Sequence, residues 1–371
     1  MNLIAQSSAR FGFALLRELH REQAANNIGI SPLNITLALA MLAGGARGGT
    51  LRGILRALSL EQADLAALDS AVEQLLRELP QDPKISMAIS NSLWVNRQVE
   101  LSADFARRAR SLFRAEAAAL DFGAPGSPER INDWVSHSTD GLIPALVQGL
   151  DPADLLILLS AILFKGLWAS PFDPQRIQPT PFLLPDGSRS ERPLMFLNDE
   201  LRYGAYDGFE IVRLPYGAGR VAMYVLLPAE DASLDELLDG LDDRRLELAI
   251  NGTSEREGLV GLPLLTLMDD RELNGALEAL GMADAFEAGA DFGGLLGGAA
   301  QGLALSAARH KSILRIDEEG ARMAAVTELV MTLGAPPDEP FRMVVDRPFC
   351  CAIRDDQSGA LLYLGAVYNP E

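Results

Sequence analysis

The side chains that could carry out chemistry are few in this chain. It has three histidines and two cysteines, and the cysteines are neighbours, Cys350 and Cys351. These residues show neither the CxxC nor the HExxH spacing of metal sites, and neighbouring cysteines cannot adopt ordinary disulfide geometry. A Ser-His-Asp relay needs a base within reach of its nucleophile, and no GxSxG segment is present. The sequence therefore predicts no metal and no cofactor, and an unrelated hydrolase is only a third alternative.

Charge and glycine content exclude two further classes. Lys and Arg number 32 against 51 Asp and Glu, a net charge of −19 that opposes attraction to nucleic acid or an anionic membrane. The glycine-rich segment GGARGGT at residues 44–50 looks like a phosphate loop, but it follows a predicted helix and has no lysine to reach a phosphate. We therefore expect neither nucleic acid nor membrane as a partner, and no bound nucleotide.

The most informative segment is residues 317–337, DEEGARMAAVTELVMTLGAPP. It lacks proline until Pro336, so its backbone could extend and donate every hydrogen bond of a strand. Alternate side chains share a face of a strand. One such set can be buried throughout, namely Ala321, Met323, Ala325, Thr327 and Leu329. The other set is mixed, namely Arg322, Ala324, Val326 and Glu328. The segment could become a central strand; the alternative is a half-buried strand joined to a surface loop.

The elements that would position this segment change character along the chain. Helical periodicity dominates the first half, where Ser31 and Pro32 provide an N-cap and first position for an almost wholly apolar helix. From about residue 155 strands and turns prevail. The apolar run at 155–164 is about half the roughly 20 residues of a membrane helix and predicts a buried strand. We predict one α+β domain spanning residues 1–371.

The sequence leaves two cellular locations open for this protein. Residues 1–16, MNLIAQSSARFGFALL, have no basic segment ahead of an apolar core, so no export signal is expected in them. The protein is then cytoplasmic, or extracellular if a signal peptide has been removed. Nearly all basic residues are arginine, with lysine only at positions 84, 165 and 311, which favours a GC-rich bacterial source.

Several segments, in order along the chain, resemble the signatures of the serpin family. They are NIGISPLNITLALAMLAGGARGGT, NSLWVN, INDWVSHSTDGLIP, AILFKGLWASPFD, LPYGAGRVAMYVLLP, HKSILRIDEEG and DRPFCCAIRDDQSGALLYLGAVYNP. The resemblance covers the chain from about residue 5 to its end. It implies about nine helices, three β-sheets and a mobile reactive-centre loop, here about residues 318–340. It also implies a five-stranded central sheet that can accept a sixth strand.

By the same resemblance, the protein is an inhibitor of serine proteases and not an enzyme. A protease attacks the loop, forms an acyl-enzyme, and is trapped when the cut loop inserts into the sheet of a metastable native state. The hinge that inserts would comprise Glu318, Glu319, Gly320, Ala321, Arg322, Met323, Ala324, Ala325, Val326 and Thr327. Gly320 supplies backbone freedom, and a charge at Ala321 would meet the desolvation cost of burial. Met323 departs from the family's usual alanine.

Family spacing places the reactive bond between Gly334 and Ala335, with Leu333, Thr332 and Met331 as neighbouring specificity residues. A shift of one residue would instead offer Leu333 to a chymotrypsin-like pocket or Ala335 to an elastase-like one. The target protease would be chymotrypsin-like, elastase-like or subtilisin-like. The resemblance also assigns a region where the sheet opens, containing Ser31, Asn34, Asn91, Trp168 and His310. Ser160 stands where the family usually has asparagine, which puts part of that hydrogen-bond network in question.

Two readings of the resemblance remain. The first is an inhibitory serpin, and the alternative is a non-inhibitory binding or chaperone-like protein of serpin fold. A bulky or charged residue at 321, or a proline within 321–332, would favour the alternative, and neither is present. We expect a monomer. Heparin is not an expected partner, because the segment LDSAVEQLLRELPQDPK has few bases and several acids.

Overall fold

The computed structural model describes residues 2–139, 141, 143–297, 302–318 and 340–370. Ten α-helical segments lie within these residues. They are α1 (Leu3–Glu22), α2 (Pro32–Ala43), α3 (Gly48–Ala57), α4 (Leu65–Glu78), α5 (Ala103–Phe113), α6 (Ser127–Ser138), α7 (Leu234–Gly240), α8 (Asp243–Asn251), α9 (Asn274–Leu277) and α10 (Ala283–Phe286). The first six precede residue 139, which confirms the predicted helical first half. Among the helices described, none combines the length and apolar character needed to cross a membrane.

Fourteen strands are described, and eleven of them, β4 to β14, lie after residue 155. They are β1 (Ile28–Ile30), β2 (Ile85–Asn96), β3 (Glu116–Leu120), β4 (Leu156–Gly166), β5 (Gln178–Leu183), β6 (Arg189–Tyr206), β7 (Phe209–Tyr216), β8 (Val221–Pro228), β9 (Ser254–Pro263), β10 (Leu265–Glu272), β11 (Ala307–Ile316), β12 (Phe341–Val344), β13 (Phe349–Asp355) and β14 (Leu361–Val367). The apolar run at 155–164 forms β4, so its prediction as a buried strand is confirmed.

Within the described residues the strands pair into two continuous sheets. The larger has the order β1-β14-β13-β8-β7-β6-β9-β12, with β5 added beside β6. Its two halves share β6, which is 18 residues long and pairs with β7 at one end and with β5 and β9 elsewhere. Counting these halves separately gives the predicted three sheets. They are joined because one long strand carries backbone hydrogen bonds for both.

The five-stranded sheet has the order β10-β11-β4-β2-β3 and is called the central sheet here. Its middle pair, β4 and β11, is parallel and runs from Ala307 opposite Ile157 to Leu314 opposite Phe164. This pairing is called the seam. The outer neighbours of the seam, β2 on β4 and β10 on β11, are both antiparallel. Parallel pairing is slightly less stable per residue than antiparallel pairing, so the seam is the weaker junction at the middle of the sheet.

Helix α2 lies between the two sheets and explains why its sequence is apolar on every side. It packs against β2 and β4 on one side and against β14 on the other, and all twelve of its residues are buried. Ser31 caps the helix, since its hydroxyl oxygen accepts the Asn34 N–H at 3.2 Å, and Pro32 occupies the first position. The back of the seam therefore rests on a buried helix and its cap.

A second, smaller core covers the front of the central sheet. Helix α6 and the segment after it pack over β4, and two tryptophans meet there. Trp94 of β2 and Trp134 of α6 are arranged edge to face, with ring centroids 6.3 Å apart. The seam is thus enclosed by apolar layers on both faces.

Candidate functional site

The chain leaves the seam at one end of β11. Ile316 is the last residue of that strand, and Asp317 and Glu318 follow it. A chain that turned back here would run antiparallel to both β4 and β11, because those two strands are parallel to each other. A segment following residue 318 therefore starts beside a junction where it could pair antiparallel on both sides.

A row of polar residues crosses the central sheet halfway along the seam. Arg271 of β10 stands opposite His310 of β11, His310 opposite Ser160 of β4, and Ser160 opposite Asn91 of β2. Residues directly opposite on paired strands share a face. The side chains of His310, Ser160 and Asn91 are each buried. Three of the predicted sheet-opening residues, Ser31, Asn91 and His310, thus converge on this row together with Ser160.

His310 joins the row to the cap of α2. Its Nε2 accepts the backbone N–H of Ser31 at 3.1 Å, so the neutral ring carries its proton on Nδ1. Nδ1–H then donates to Ser160 Oγ, 2.8 Å away, across the seam. The serine that replaces the family's asparagine therefore keeps a link between β4 and β11.

The environment of His310 disfavours its charged form. The ring is fully buried, and that burial, with the positive charge of Arg271 nearby, lowers its pKa to about 3. Protonation at Nε2 would also place two donors, the ring and the Ser31 N–H, against each other. The link between the strands and the helix cap is therefore present only while the imidazole is neutral.

Acid should weaken the native state through His310. The unfolded-state pKa is about 6.5. Since the folded-state pKa is about 3, the stabilisation is complete above pH 6.5 and is lost as the pH falls towards 3. Between pH 7.5 and pH 5.0 this residue should cost about 2 kcal/mol of unfolding free energy. Urea unfolding of wild type and His310→Asn at both pH values measures it. Asparagine should remove about that much of the pH dependence, and equal slopes in both proteins would contradict the assignment.

The two predicted asparagines are buried but differ from the histidine in their bonding. The Asn34 backbone is held by Ser31, while its side-chain amide has no hydrogen-bond partner among the described residues. The same holds for the Asn91 side chain. Both lie buried behind the sheet, and no described hydrogen bond joins them to His310.

Sequence reasoning missed a second cluster on β10 and β11. Asp269 is buried, pairs with Arg271, and accepts the Gly29 N–H at 2.7 Å. Ser312 donates its hydroxyl to the Gly29 carbonyl at 2.8 Å. These contacts fasten the β10–β11 pair to β1, beside Ser31. The signal in the sequence was the adjacent acids at 269 and 270, since alternation forces one of two neighbours in a strand to face inward.

The top of the seam is closed by an aromatic group around Trp168. Its indole stacks on Tyr216, with centroids 4.3 Å apart, and meets Phe172 edge to face at 5.7 Å. The indole N–H donates to the carbonyl oxygen of Asp317 at 2.9 Å. Glu318, half-buried, is the next residue along the chain. Trp168 therefore holds the backbone at the start of the predicted hinge, through Asp317.

The rest of the predicted loop lies outside the described residues. This applies to the hinge from Glu319 to Thr327 and to the predicted specificity and reactive-bond residues, Met331, Thr332, Leu333, Gly334 and Ala335. The described part of the site therefore consists of the seam, its polar row and the aromatic group at its top.

The described residues offer no grouping of three or more His, Cys, Asp or Glu side chains that could hold a metal ion. Cys350 and Cys351 are fully buried in β13 as free thiols. Burial raises the pKa of both thiols, that of Cys351 to about 12, so neither is an activated nucleophile.

Comparison with known proteins identifies the class to which this fold and site belong. The model of the family described as Serpin (serine protease inhibitor) matches residues 6–370. The chain belongs to the serpin family, whose members are mostly protease inhibitors rather than enzymes.

Relatives come from distant organisms and cover nearly the whole chain. Serpin-Z2B of Triticum aestivum is 30% identical over 97% of this chain and 95% of its own length. The corticosteroid-binding globulin of Oryctolagus cuniculus is 30% identical over 99% of this chain and 96% of its own length. The structure of mouse protein-Z dependent protease inhibitor superposes with a TM-score of 0.90, at 24% identity, covering 100% of this chain and 98% of that one. The serpin fold predicted from the sequence is confirmed.

Proposed function

We propose that this protein inhibits serine proteases as a suicide substrate, with loop cleavage followed by insertion into the central sheet. The observation that carries the proposal is the position of Asp317 and Glu318 at the end of a parallel seam. The single domain is residues 1–371 and the reactive-centre loop is about residues 318–340. The protein acts as a monomer from a bacterial source and takes no cofactor. Its target is a chymotrypsin-like, elastase-like or subtilisin-like protease.

The protease cleaves the peptide bond, and the fold of the inhibitor determines whether the acyl-enzyme is trapped or hydrolysed. The protease serine oxygen attacks the Gly334 carbonyl and an ester forms. The bond to Ala335 breaks, and its nitrogen takes the serine proton as the free amine, while the C-terminal part of the chain stays paired in the larger sheet through β13 and β14. The freed hinge then enters the seam before water cleaves the ester. The acyl-enzyme is trapped because its loop has moved, so the inhibitor is consumed once per protease molecule.

Insertion is favourable because it replaces one weak junction with two strong ones. The seam pairs eight residues of β11 with eight of β4 in parallel. An inserted strand would give each of these strands an antiparallel partner instead. It would also bury the apolar set that begins at Ala321, where a charged residue would oppose entry. The intact protein is therefore metastable as long as the loop is uncut.

Opening the seam requires the polar row, and the aromatic group around Trp168 at its top, to exchange their hydrogen-bond partners. The Ser160–His310 hydrogen bond spans the seam, so it cannot survive the arrival of a strand between them. At the top, the Trp168–Asp317 hydrogen bond holds the chain where it must reverse. We assign Ser31, Asn34, Asn91, Trp168 and His310 to this opening step, and Gly320 to the reversal.

Incubation with chymotrypsin, elastase, trypsin and subtilisin tests the proposal. At least one protease should form a complex that survives denaturing electrophoresis, and sequencing of the released peptide should give Ala335 as its first residue. Cleavage by all four without any covalent complex would refute inhibition. A different first residue would move the reactive bond and leave inhibition intact.

A second candidate, a small-molecule carrier, is favoured by one cavity. It has a volume of about 390 Å³ and lies between α1, α8 and β14. Its wall includes Ala9, Leu246 and Leu361, with Leu248 at 73% exposure and the Arg354 side chain at 9%. The rabbit relative is named as a corticosteroid-binding globulin. A carrier of this kind would form no covalent complex with any of the four proteases.

A further inference from the structure

Two asparagines in this chain are followed directly by glycine, Asn251 by Gly252 and Asn274 by Gly275. Glycine has no side chain to keep its backbone nitrogen away from the asparagine amide before it. That nitrogen can attack the asparagine side chain and displace ammonia, a reaction called deamidation. Asn251 is the last residue of α8, and Asn274 is the first residue of α9. The surroundings of each side chain therefore decide which of the two reacts.

The Asn274 amide is held through both of its polar atoms. Its Oδ1 accepts the Ala308 N–H at 2.9 Å, and its Nδ2 donates to the Ser306 carbonyl oxygen at 3.0 Å. These bonds fix the half-buried side chain against the start of β11. Turning the amide towards the Gly275 nitrogen would break both of them.

The Asn251 side chain is exposed, and none of the hydrogen bonds between described residues engages its amide. The backbone around it is held instead by Tyr206, whose hydroxyl donates to the Ala249 carbonyl oxygen at 2.7 Å. A Cβ atom at Gly252 would lie 2.3 Å from the same hydroxyl oxygen. While that hydrogen bond is in place, position 252 has room only for glycine. The contact that closes the end of α8 thus requires the residue that makes Asn251 reactive.

We propose that Asn251 is a deamidation site and that Asn274 is protected from the same reaction. The Gly252 nitrogen gives its proton to hydroxide and bonds to the side-chain carbonyl carbon of Asn251. The bond from that carbon to Nδ2 breaks, and the nitrogen leaves as ammonia after taking a proton from water. Water then opens the succinimide ring, at the side-chain carbonyl to give aspartate or at the backbone carbonyl to give isoaspartate. Each event adds one negative charge.

The product alters the junction between α8 and β6. A carboxylate at residue 251 lies at the negative end of the α8 dipole, where it is disfavoured. Isoaspartate also lengthens the backbone by one carbon shortly before Thr253. Arg202 of β6 donates to Thr253 Oγ1 at 3.1 Å and to its carbonyl oxygen at 3.0 Å. Amide exchange in α8 should therefore be faster after conversion, and none of this depends on protease trapping.

Peptide mapping by mass spectrometry, after incubation at mildly alkaline pH, tests the site. In the native protein the Asn251 peptide should gain about 1 Da at least about ten-fold faster than the Asn274 peptide, which must first lose two net hydrogen bonds. In urea the two rates should agree within about two-fold, because both asparagines precede glycine and neither is held. Aspartate and isoaspartate, which have equal mass, should appear as two chromatographic products.

Two variants serve as controls. Asn251→Gln lengthens the side chain and slows ring closure, so it should abolish the mass gain at 251 and leave that at 274 unchanged. Tyr206→Phe keeps the ring and removes the bond to Ala249, so Asn251 should react about five-fold faster, the factor that corresponds to one net hydrogen bond.

Three results would refute the site. They are a native Asn251 that stays unmodified while the urea-unfolded chain reacts, a native Asn274 that reacts as fast as Asn251, and aspartate without isoaspartate. A Tyr206→Phe rate no higher than that of wild type would overturn the part assigned to Tyr206. The converted protein can be separated by anion exchange through its extra charge, and unchanged amide exchange in α8 would overturn the predicted effect on the junction.

Discussion

Ala321→Arg is expected to turn the protein from an inhibitor into a substrate. Under the proposed function, position 321 is the first of the apolar set to enter the seam. A guanidinium at this position must lose its water, and burying an unpaired charge costs several kcal/mol. Each 1.4 kcal/mol is a factor of about ten in rate, so deacylation should overtake insertion. The number of inhibitor molecules consumed per protease should rise at least about ten-fold, as measured by titration of residual protease activity.

Two matched variants test whether the effect of Ala321→Arg comes from burying a charge when the hinge enters the sheet. Ala321→Val keeps an apolar, strand-forming side chain and should retain inhibition near that of wild type. Arg322→Ala changes the neighbouring residue, on the mixed face, and should do the same. Loop cleavage should proceed in all three variants. An Ala321→Arg protein with unchanged stoichiometry would show that the hinge enters the sheet elsewhere or not at all.

Cutting the chain near residue 334 should make it harder to unfold. A strand of about ten residues adds roughly ten backbone hydrogen bonds at about 0.5 to 1.5 kcal/mol each, a gain on the order of 10 kcal/mol. With an unfolding entropy of about 2.1 cal/mol/K per residue over 371 residues, this raises the melting temperature by roughly 13 °C. Calorimetry of intact and cleaved protein measures the shift directly.

The cleaved Ala321→Arg variant is the control for that measurement. It carries the same cut, but its hinge should enter the seam poorly, so its melting temperature should rise much less than that of cleaved wild type. Equal melting temperatures for intact and cleaved wild type would mean that no strand is added. That result would contradict the insertion mechanism even if a covalent complex were seen.

The predicted elements that matched best were those with strong local signals. Ser31 and Pro32 indicated the start of α2, and the almost wholly apolar sequence after them predicted a helix buried on all sides. The run that became β4 was too short for a membrane span and too apolar for an exposed strand. The pairing of β4 with β11 joins residues about 150 positions apart, as in Ser160 opposite His310. Periodicity carries no information about such long-range register, and the family resemblance indicated only a five-stranded sheet with a polar region where its strands part.

The site was predicted in outline and missed in its bonding. His310, Ser31 and Trp168 were assigned from family resemblance, and the structure shows all three buried. The replacement at Ser160 suggested a weakened network, yet its hydroxyl reaches the histidine ring. Asp269 was missed because acidic side chains in a strand usually face water, although alternation at residues 269 and 270 turns one of the two inward. Its burial depends on Arg271 and on the Gly29 amide, which only the folded chain brings within reach.

The three tryptophans lie at two places on the central sheet. Trp94 and Trp134 form their edge-to-face pair in the core on the front of the sheet, and Trp168 stacks on Tyr216 at the top of the seam. Indole emission responds to ring contacts and to solvent, so the molecule contains native optical reporters at both places. Replacing Trp168 with phenylalanine would isolate the signal of the front layer, and stopped-flow recordings could then time the arrival of the loop there without any attached dye.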